Sequence, residues 1–245
     1  MKIRNTCLAV AALFCTIGAA NAAVITNTSL NSPGVYYGTG NINSGFTVDR
    51  TGSVETGLSA IERFVGPITP IGSTYNVSTG ATSEVGHTGS DWGFVFSVNL
   101  NADGNGTLNL GNITTRLSLQ DVGLGTTGFF DALIIPDNTE YGAGGKCTPA
   151  VLCGSSANYY AFQNSEALSF LGIATILGDP LYDINADDTY IFGLDVFSGN
   201  TLLSSDQITV VAGKGAAVPE PLTISLFSAG LVGAAVARRR RAARK

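Results

Sequence analysis

The chain has 245 residues, of which 44% are hydrophobic and only 13% charged, with 31 glycines and a formal net charge of −5. Ordinary soluble domains carry about 25% charged residues and about 7% glycine, so this composition excludes long solvated helices and favours short strands and turns. Residues 23–217 hold five basic and seventeen acidic residues, a net charge of −12, whereas the other eight basic residues lie at the two ends. Such an acidic body repels nucleic acid, whose binding rests on Lys and Arg neutralising phosphates, and it attracts divalent cations.

The first segment reads MKIRNTCLAVAALFCTIGAANA. Lys2 and Arg4 precede an apolar stretch from Cys7 to Ile17, and Ala20-Asn21-Ala22 supplies small residues. This three-part pattern predicts a secretory signal helix over residues 1–22, handled by the Sec translocon and cut after Ala22. The apolar stretch is short against the roughly 20 residues of a membrane span.

A single domain is expected over 23–212, starting with candidate strands at 34–38, 45–50, 54–65 and 73–79. The best-defined strand is DWGFVFSVNL, in which Trp92, Phe94, Phe96, Val98 and Leu100 alternate with Gly93, Val95, Ser97 and Asn99. Period two predicts one buried and one more exposed face, with Trp92 in phase with the core. The turn cluster NADGNG follows. Leu108, Leu110, Leu117 and Leu119 then mark further strands, and 129–135 and 158–163 are strand candidates. The stretch 164–177 fits either a strand or a short helix, because its apolar run decides nothing. A hairpin closes the domain: Tyr190, Phe192, Leu194 and Val196 share one face, Ser198-Gly199-Asn200 turn, and Ile208 and Val210 line the returning strand. Many short strands without sustained helical periodicity predict an all-β fold, an antiparallel β-sandwich or jelly-roll-like core. Residues 213–217 read as a flexible linker.

Cys147 and Cys153 stand five residues apart in GGKCTPAVLCGSS. In an exported chain they are expected to pair as a disulfide; a metal site is the alternative, although the spacing is not that of a zinc knuckle. No cofactor is required by any motif. Calcium is the one metal with a candidate loop: DINADD places Asp183, Asn185, Asp187 and Asp188 at oxygen-ligand spacing, with Asp188 where a calcium loop has glycine. NLNADGN places Asn99, Asn101 and Asp103 similarly but begins with Asn, so DINADD is the favoured loop; the default reading of both is an Asx-stabilised turn. His87, the only histidine, lies in the polar loop EVGHTGSD outside any recognisable catalytic motif. Glu62, Glu84, Asp91 and Glu166 are the carboxylates from which a glycosidase pair would have to come. For glycan binding the candidate platforms are Trp92, Tyr36, Tyr37, Tyr159 and Tyr160.

The chain closes with VPEPLTISLFSAGLVGAAVARRRRAARK. Leu222 to Ala237 carry no charge and predict a single transmembrane helix, and Arg238, Arg239, Arg240 and Arg241 stop transfer on the cytoplasmic side. The ordered set of Pro219-Glu220-Pro221, an apolar helix and an arginine cluster resembles the PEP-CTERM sorting signal of Gram-negative, exopolysaccharide-producing bacteria, over about residues 218–241. Three stretches of the body, GFTVDRTGSVETGL (45–58), WGFVFSVN (92–99) and NADDTYIFGLDVFSGN (185–200), are similar to PEP-CTERM proteins of unassigned function. The resemblance implies transient anchoring in the inner membrane, processing by exosortase within 218–245, and release to the cell surface or the extracellular matrix. The expected role is structural or adhesive and not enzymatic, in exopolysaccharide or biofilm; the alternatives are a carbohydrate-binding module for the exopolysaccharide and a calcium-dependent protein or glycoside hydrolase. Mass spectrometry of the exported protein is expected to find a C-terminus near the Pro-Glu-Pro triad; an intact Arg238–Lys245 end would contradict this.

Overall fold

A computed structural model describes residues 24–31, 41–170 and 172–215. The signal segment 1–22, the strand expected at 34–38 with Tyr36 and Tyr37, the Pro219-Glu220-Pro221 triad, the apolar stretch 222–237 and the Arg238–Arg241 cluster all lie outside the described residues. Among the described residues no helix is long and apolar enough to cross a membrane.

The fold is predominantly β. The strands in chain order are β1 Ile25–Thr28, β2 Phe46–Thr51, β3 Val54–Glu62, β4 Gly66–Pro67, β5 Thr74–Val77, β6 Trp92–Asn99, β7 Thr114–Asp121, β8 Thr126–Phe130, β9 Thr139–Gly142, β10 Gly145–Cys147, β11 Tyr159–Glu166, β12 Asp188–Ser198 and β13 Thr201–Ala212; one short helix, α1, spans Ile173–Ile176. One sheet runs β1-β2-β3-β6-β11-β9-β10, with β4 appended to β3, and the second runs β5-β13-β12-β7-β8. Every pairing is antiparallel except β5 with β13, which is parallel, a departure from the purely antiparallel expectation. β5 reaches β13 by a long crossover rather than a hairpin, and only such a connection permits parallel pairing.

Alternation built the shared core. Phe94 and Phe96 of β6 face Phe192 of β12 across the sheets, with Phe94 and Phe192 centroids 4.6 Å apart, and Trp92 lies 5.6 Å from Tyr190. Trp92 is 2% exposed and belongs to this core. Burying a large aromatic side chain contributes about 3–5 kcal/mol against alanine.

The expected exposed face of β6 is absent. All eight of its residues are buried, because the outer face of its sheet carries a second apolar cluster of Leu30, Phe46, Val48, Ile61 and Val95. β8 ends at Phe130, where 129–135 was expected to continue as strand. Asp131 caps a 3₁₀ turn at Ala132–Ile134 by accepting from the Leu133 amide. Similarly, Leu110 opens a 3₁₀ turn boxed by Asn109 and Asn112 instead of a strand. The ambiguous 164–177 stretch divides: β11 continues to Glu166 and α1 follows.

A buried polar seam joins the sheets where β13 passes β2 and β3. The β2–β3 ladder stops at the Thr47–Leu58 pair, so the Leu58 backbone groups need other partners. The Leu58 N–H donates to Asp206 Oδ2 at 2.9 Å. The Tyr75 hydroxyl donates to the Gly45 carbonyl at 2.7 Å and lies 3.3 Å from the Leu58 carbonyl. Ser204 donates to Asp49 at 2.6 Å and stands 2.8 Å from the Thr56 hydroxyl.

Burial, reinforced by Asp49, pushes the Asp206 carboxyl up to about 8. The folded state therefore binds the proton more tightly than the unfolded chain, whose carboxyl titrates near its ordinary value. Stability from this group is fully present below about pH 4 and falls as pH rises toward about 8. Asp206→Ala leaves the Leu58 N–H unpaired and is expected to cost about 1–3 kcal/mol at pH 5. The gap to the wild type should narrow by pH 9, as read from urea unfolding at both pH values. An equal penalty at both would contradict the buried, protonated carboxyl.

Candidate functional site

Strand register gathers acidic side chains at one end of the molecule. Glu62 on β3 pairs with Trp92 on β6, and Glu166 on β11 pairs with Phe94. Trp92 touches Tyr190, Tyr190 pairs with Asp121 on β7, and Asp121 pairs with Thr126 on β8. Asp188 pairs with Ala212, the last residue of β13. Period two makes Asp121 the inward successor of Leu117 and Leu119, and Asp188 the inward predecessor of Tyr190 and Phe192. Both carboxylates thus enter the end of the core.

Backbone amides hold two of them. Asp188 Oδ1 accepts from Thr189 N at 2.6 Å and Gly123 N at 3.0 Å, and Asp121 Oδ1 accepts from Leu124 N at 2.7 Å. Gly123 is required here, since a Cβ would stand 2.5 Å from the Asp188 carboxylate. Asp179 arrives from above on the loop after α1. A Cβ at Gly128 would overlap the backbone of Leu177 and Gly178, so glycine lets this loop close down on β8. Asp179 is 1% exposed, and the Leu181 amide only partly offsets the burial of its carboxyl. Burial, then the neighbouring Asp121, pushes its carboxyl up to about 6. Burial also raises Asp188, with Asp121 adding to the effect.

The expected DINADD ligand set does not assemble. Asp183, Asn185 and Asp187 are exposed while Asp188 is buried. Asp183 Oδ1 accepts from the Asn185 amide at 2.9 Å, an Asx turn, and Asp187 lies against Gly213. NLNADGN behaves alike: Asn99 Oδ1 accepts from Asn101 N at 2.9 Å, Asn101 Oδ1 from Gly106 N at 2.7 Å and Asp103 Oδ1 from Asn105 N at 2.9 Å. The side chains satisfy their own turns. Among the described residues no three His, Cys, Asp or Glu side chains stand ready around one point to hold a metal ion.

Of the four glycosidase candidates, the fold brings Glu62 and Asp91 to one cleft and leaves Glu84 and Glu166 outside it. That cleft, of about 200 Å³, is also lined by Trp92 and Asn76. Glu166 faces the interior beside Asn164, whose amide donates to it at 3.2 Å and to Asp137 at 3.0 Å. Burial, then Asp137, pushes Glu166 up to about 8. Glu84 is exposed on the His87 loop, and His87 itself is exposed with its ring 4.0 Å from that of Phe64. Arg63 lies 5.0 Å from the Phe64 ring and 4.8 Å from the Phe170 ring. It donates to the Thr88 and Ser90 carbonyls and so pins the His87 loop.

The second feature lies toward the opposite end, around the β9–β10 hairpin. Cys147 and Cys153 form the expected disulfide, with Cα atoms 5.7 Å apart. Tyr159 donates its hydroxyl to the Cys153 carbonyl at 3.0 Å, and the Tyr160 ring meets Tyr141 at 5.9 Å. Both Tyr159 and Tyr160 are half-buried. Tyr159, Asn158, Lys146 and the 143–145 turn line a cleft of about 510 Å³.

The chain matches no protein-family model, no curated protein and no solved structure. Asp121 and Asp179 were not singled out from sequence. Asp121 had a signal, its phase with Leu117 and Leu119; Asp179, in a Gly-Asp-Pro turn, had none.

A short disulfide loop removes little unfolded-state entropy. Cys147→Ser is expected to lower stability by about 2 kcal/mol, with hydrogen-exchange protection lost first around residues 145–159. Loss spread evenly through β6 and β12 would contradict that local role.

Proposed function

We propose that this is an exported, non-enzymatic protein of the cell surface or extracellular matrix, with a structural or adhesive role in exopolysaccharide. The observation that carries it is the Cys147–Cys153 disulfide, a bond that persists in oxidising compartments and is rare in the cytosol. It agrees with the signal segment before Ala23 and with the PEP-CTERM-like tail that exosortase would process. The domain is read as a β-sandwich, jelly-roll-like in its long crossovers. Its acidic, charge-poor surface suits a hydrated polymer matrix more than a nucleic-acid partner.

A second reading, carbohydrate binding, is favoured by the cleft under Tyr159. An aromatic ring beside Asn158 and Lys146 is a composition that orients a polar ligand against an apolar platform. The producing organism's exopolysaccharide, immobilised on a column, separates the two. Retention of the exported protein that falls at least about tenfold on Tyr159→Ala, roughly 1.4 kcal/mol, supports binding through the cleft. Retention unchanged by Tyr159→Ala and Lys146→Ala removes this cleft as the binding site. Finding the protein only in the cytoplasmic fraction, with both cysteines reduced, would overturn the primary reading.

A further inference from the structure

We propose that the cleft at Tyr159 takes an acidic sugar, a hexuronate within a polyuronate chain, with Lys146 meeting the carboxylate and the Tyr159 ring meeting the sugar's apolar face. This rests on the carbohydrate-binding reading of the same cleft and adds the class of sugar.

Local charge carries the inference. Residues 23–217 hold five basic and seventeen acidic residues, so the body as a whole repels an anionic polymer. The cleft departs from that average. Residues 143–146 and 157–159 line it, and among them stand one cation, Lys146, and no acidic side chain. Glu140, the carboxyl of the same hairpin, lies across the ladder from Cys147 and is buried, at 8% exposure. A neutral sugar would require neither the cation nor the exclusion of acids from the lining.

One covalent bond sets both contacts in place. Cys147 follows Lys146 directly, and its disulfide partner Cys153 accepts the Tyr159 hydroxyl on its carbonyl at 3.0 Å. With the hydroxyl engaged, the half-buried Tyr159 ring is held as a platform for the C–H face of a sugar. Asn158 beside it is exposed and offers an amide donor and acceptor to sugar hydroxyls. Walls fixed in advance lower the ordering cost of binding. At Gly144 an added Cβ would meet nothing within 4 Å, and the residue is not in the left-handed region. Neither packing nor backbone conformation demands glycine there; its effect is a wall of bare backbone along which a ring can lie. The volume, about 510 Å³, falls within the roughly 300–1,000 Å³ of small-ligand clefts.

The carboxylate follows from the lysine. Lys146 is a point charge with three donors and matches a single negative charge. A phosphate ester carries more charge than one lysine neutralises, and no arginine fork lines the cleft to grip it.

Isothermal titration of the full-length exported protein with tetragalacturonate and with its methyl ester reads the charge directly, because the two differ only at the carboxylates. The acid form is expected to bind about tenfold more tightly. Lys146→Gln should weaken the acid form about tenfold and leave the ester unchanged, whereas Tyr159→Ala should weaken both. Lys146 is exposed, so Lys146→Gln is expected to melt with the wild type and serves alone if Tyr159→Ala does not fold. Acid and ester bound equally, or full affinity for the acid form in Lys146→Gln, overturns the acidic-sugar assignment. If Tyr159→Ala still abolishes that binding, the broader carbohydrate reading survives without it. No heat from tetragalacturonate, its ester or tetramannuronate overturns both.

Discussion

The two sheets are held in register by a backbone amide that the β-ladder leaves over. Because β2 and β3 part company at Leu58, its N–H sits in the interior and must be paired. Asp206 of β13 meets it from the other sheet, and the Tyr75 hydroxyl bridges the nearby Gly45 and Leu58 carbonyls. An apolar contact can slide by a residue at small cost. A buried amide satisfied by one carboxyl cannot, since the slip would orphan both groups. This contact fixes where β13 lies along β3. β12 and then β7 follow from it through their ladders with β13 and with each other.

That alignment brings the acidic end into being. Asp121 terminates β7 and Asp188 begins β12, so each is at the margin of its own strand. The Trp92–Tyr190 contact sets the first sheet over them. The loop after α1 then closes the remaining opening and carries Asp179 inward past Gly128 and Gly178. The outcome is an interior that grows more acidic toward one end: Glu166 beside Asp137 on one sheet, and Asp121, Asp179 and Asp188 on the other. The opposite end holds the aromatic and disulfide features.

Much of the strand content was legible, because period-two alternation is a local property. β6, the β12–β13 hairpin with its Ser198-Gly199-Asn200 turn, and the inward phase of Tyr190, Phe192, Leu194 and Val196 are all plain in the residues. What failed did so for identifiable reasons. β6 is buried on both faces because a distant segment, Leu30 with Phe46 and Val48, covers the side that its small residues seemed to leave to solvent. The strand expected at 129–135 stops because the Asp131 side chain competes for the backbone. β9 and β10, with glycines at positions 142, 144 and 145, have too little apolar alternation to announce themselves.

By itself the sequence determined the class of the fold and the pairing of Cys147 with Cys153. Each of these rests on spacing within a few neighbouring residues. Only the tertiary structure decided which carboxylates meet. DINADD offered four ligands in one loop, yet Asx turns consumed or exposed three of them, and the fourth, Asp188, found its partners some 67 residues earlier at Asp121 and nine residues earlier at Asp179. No local rule predicts that meeting. It depends on how β13 is locked against β3, and the lock itself is an interaction between Leu58 and Asp206, 148 residues apart.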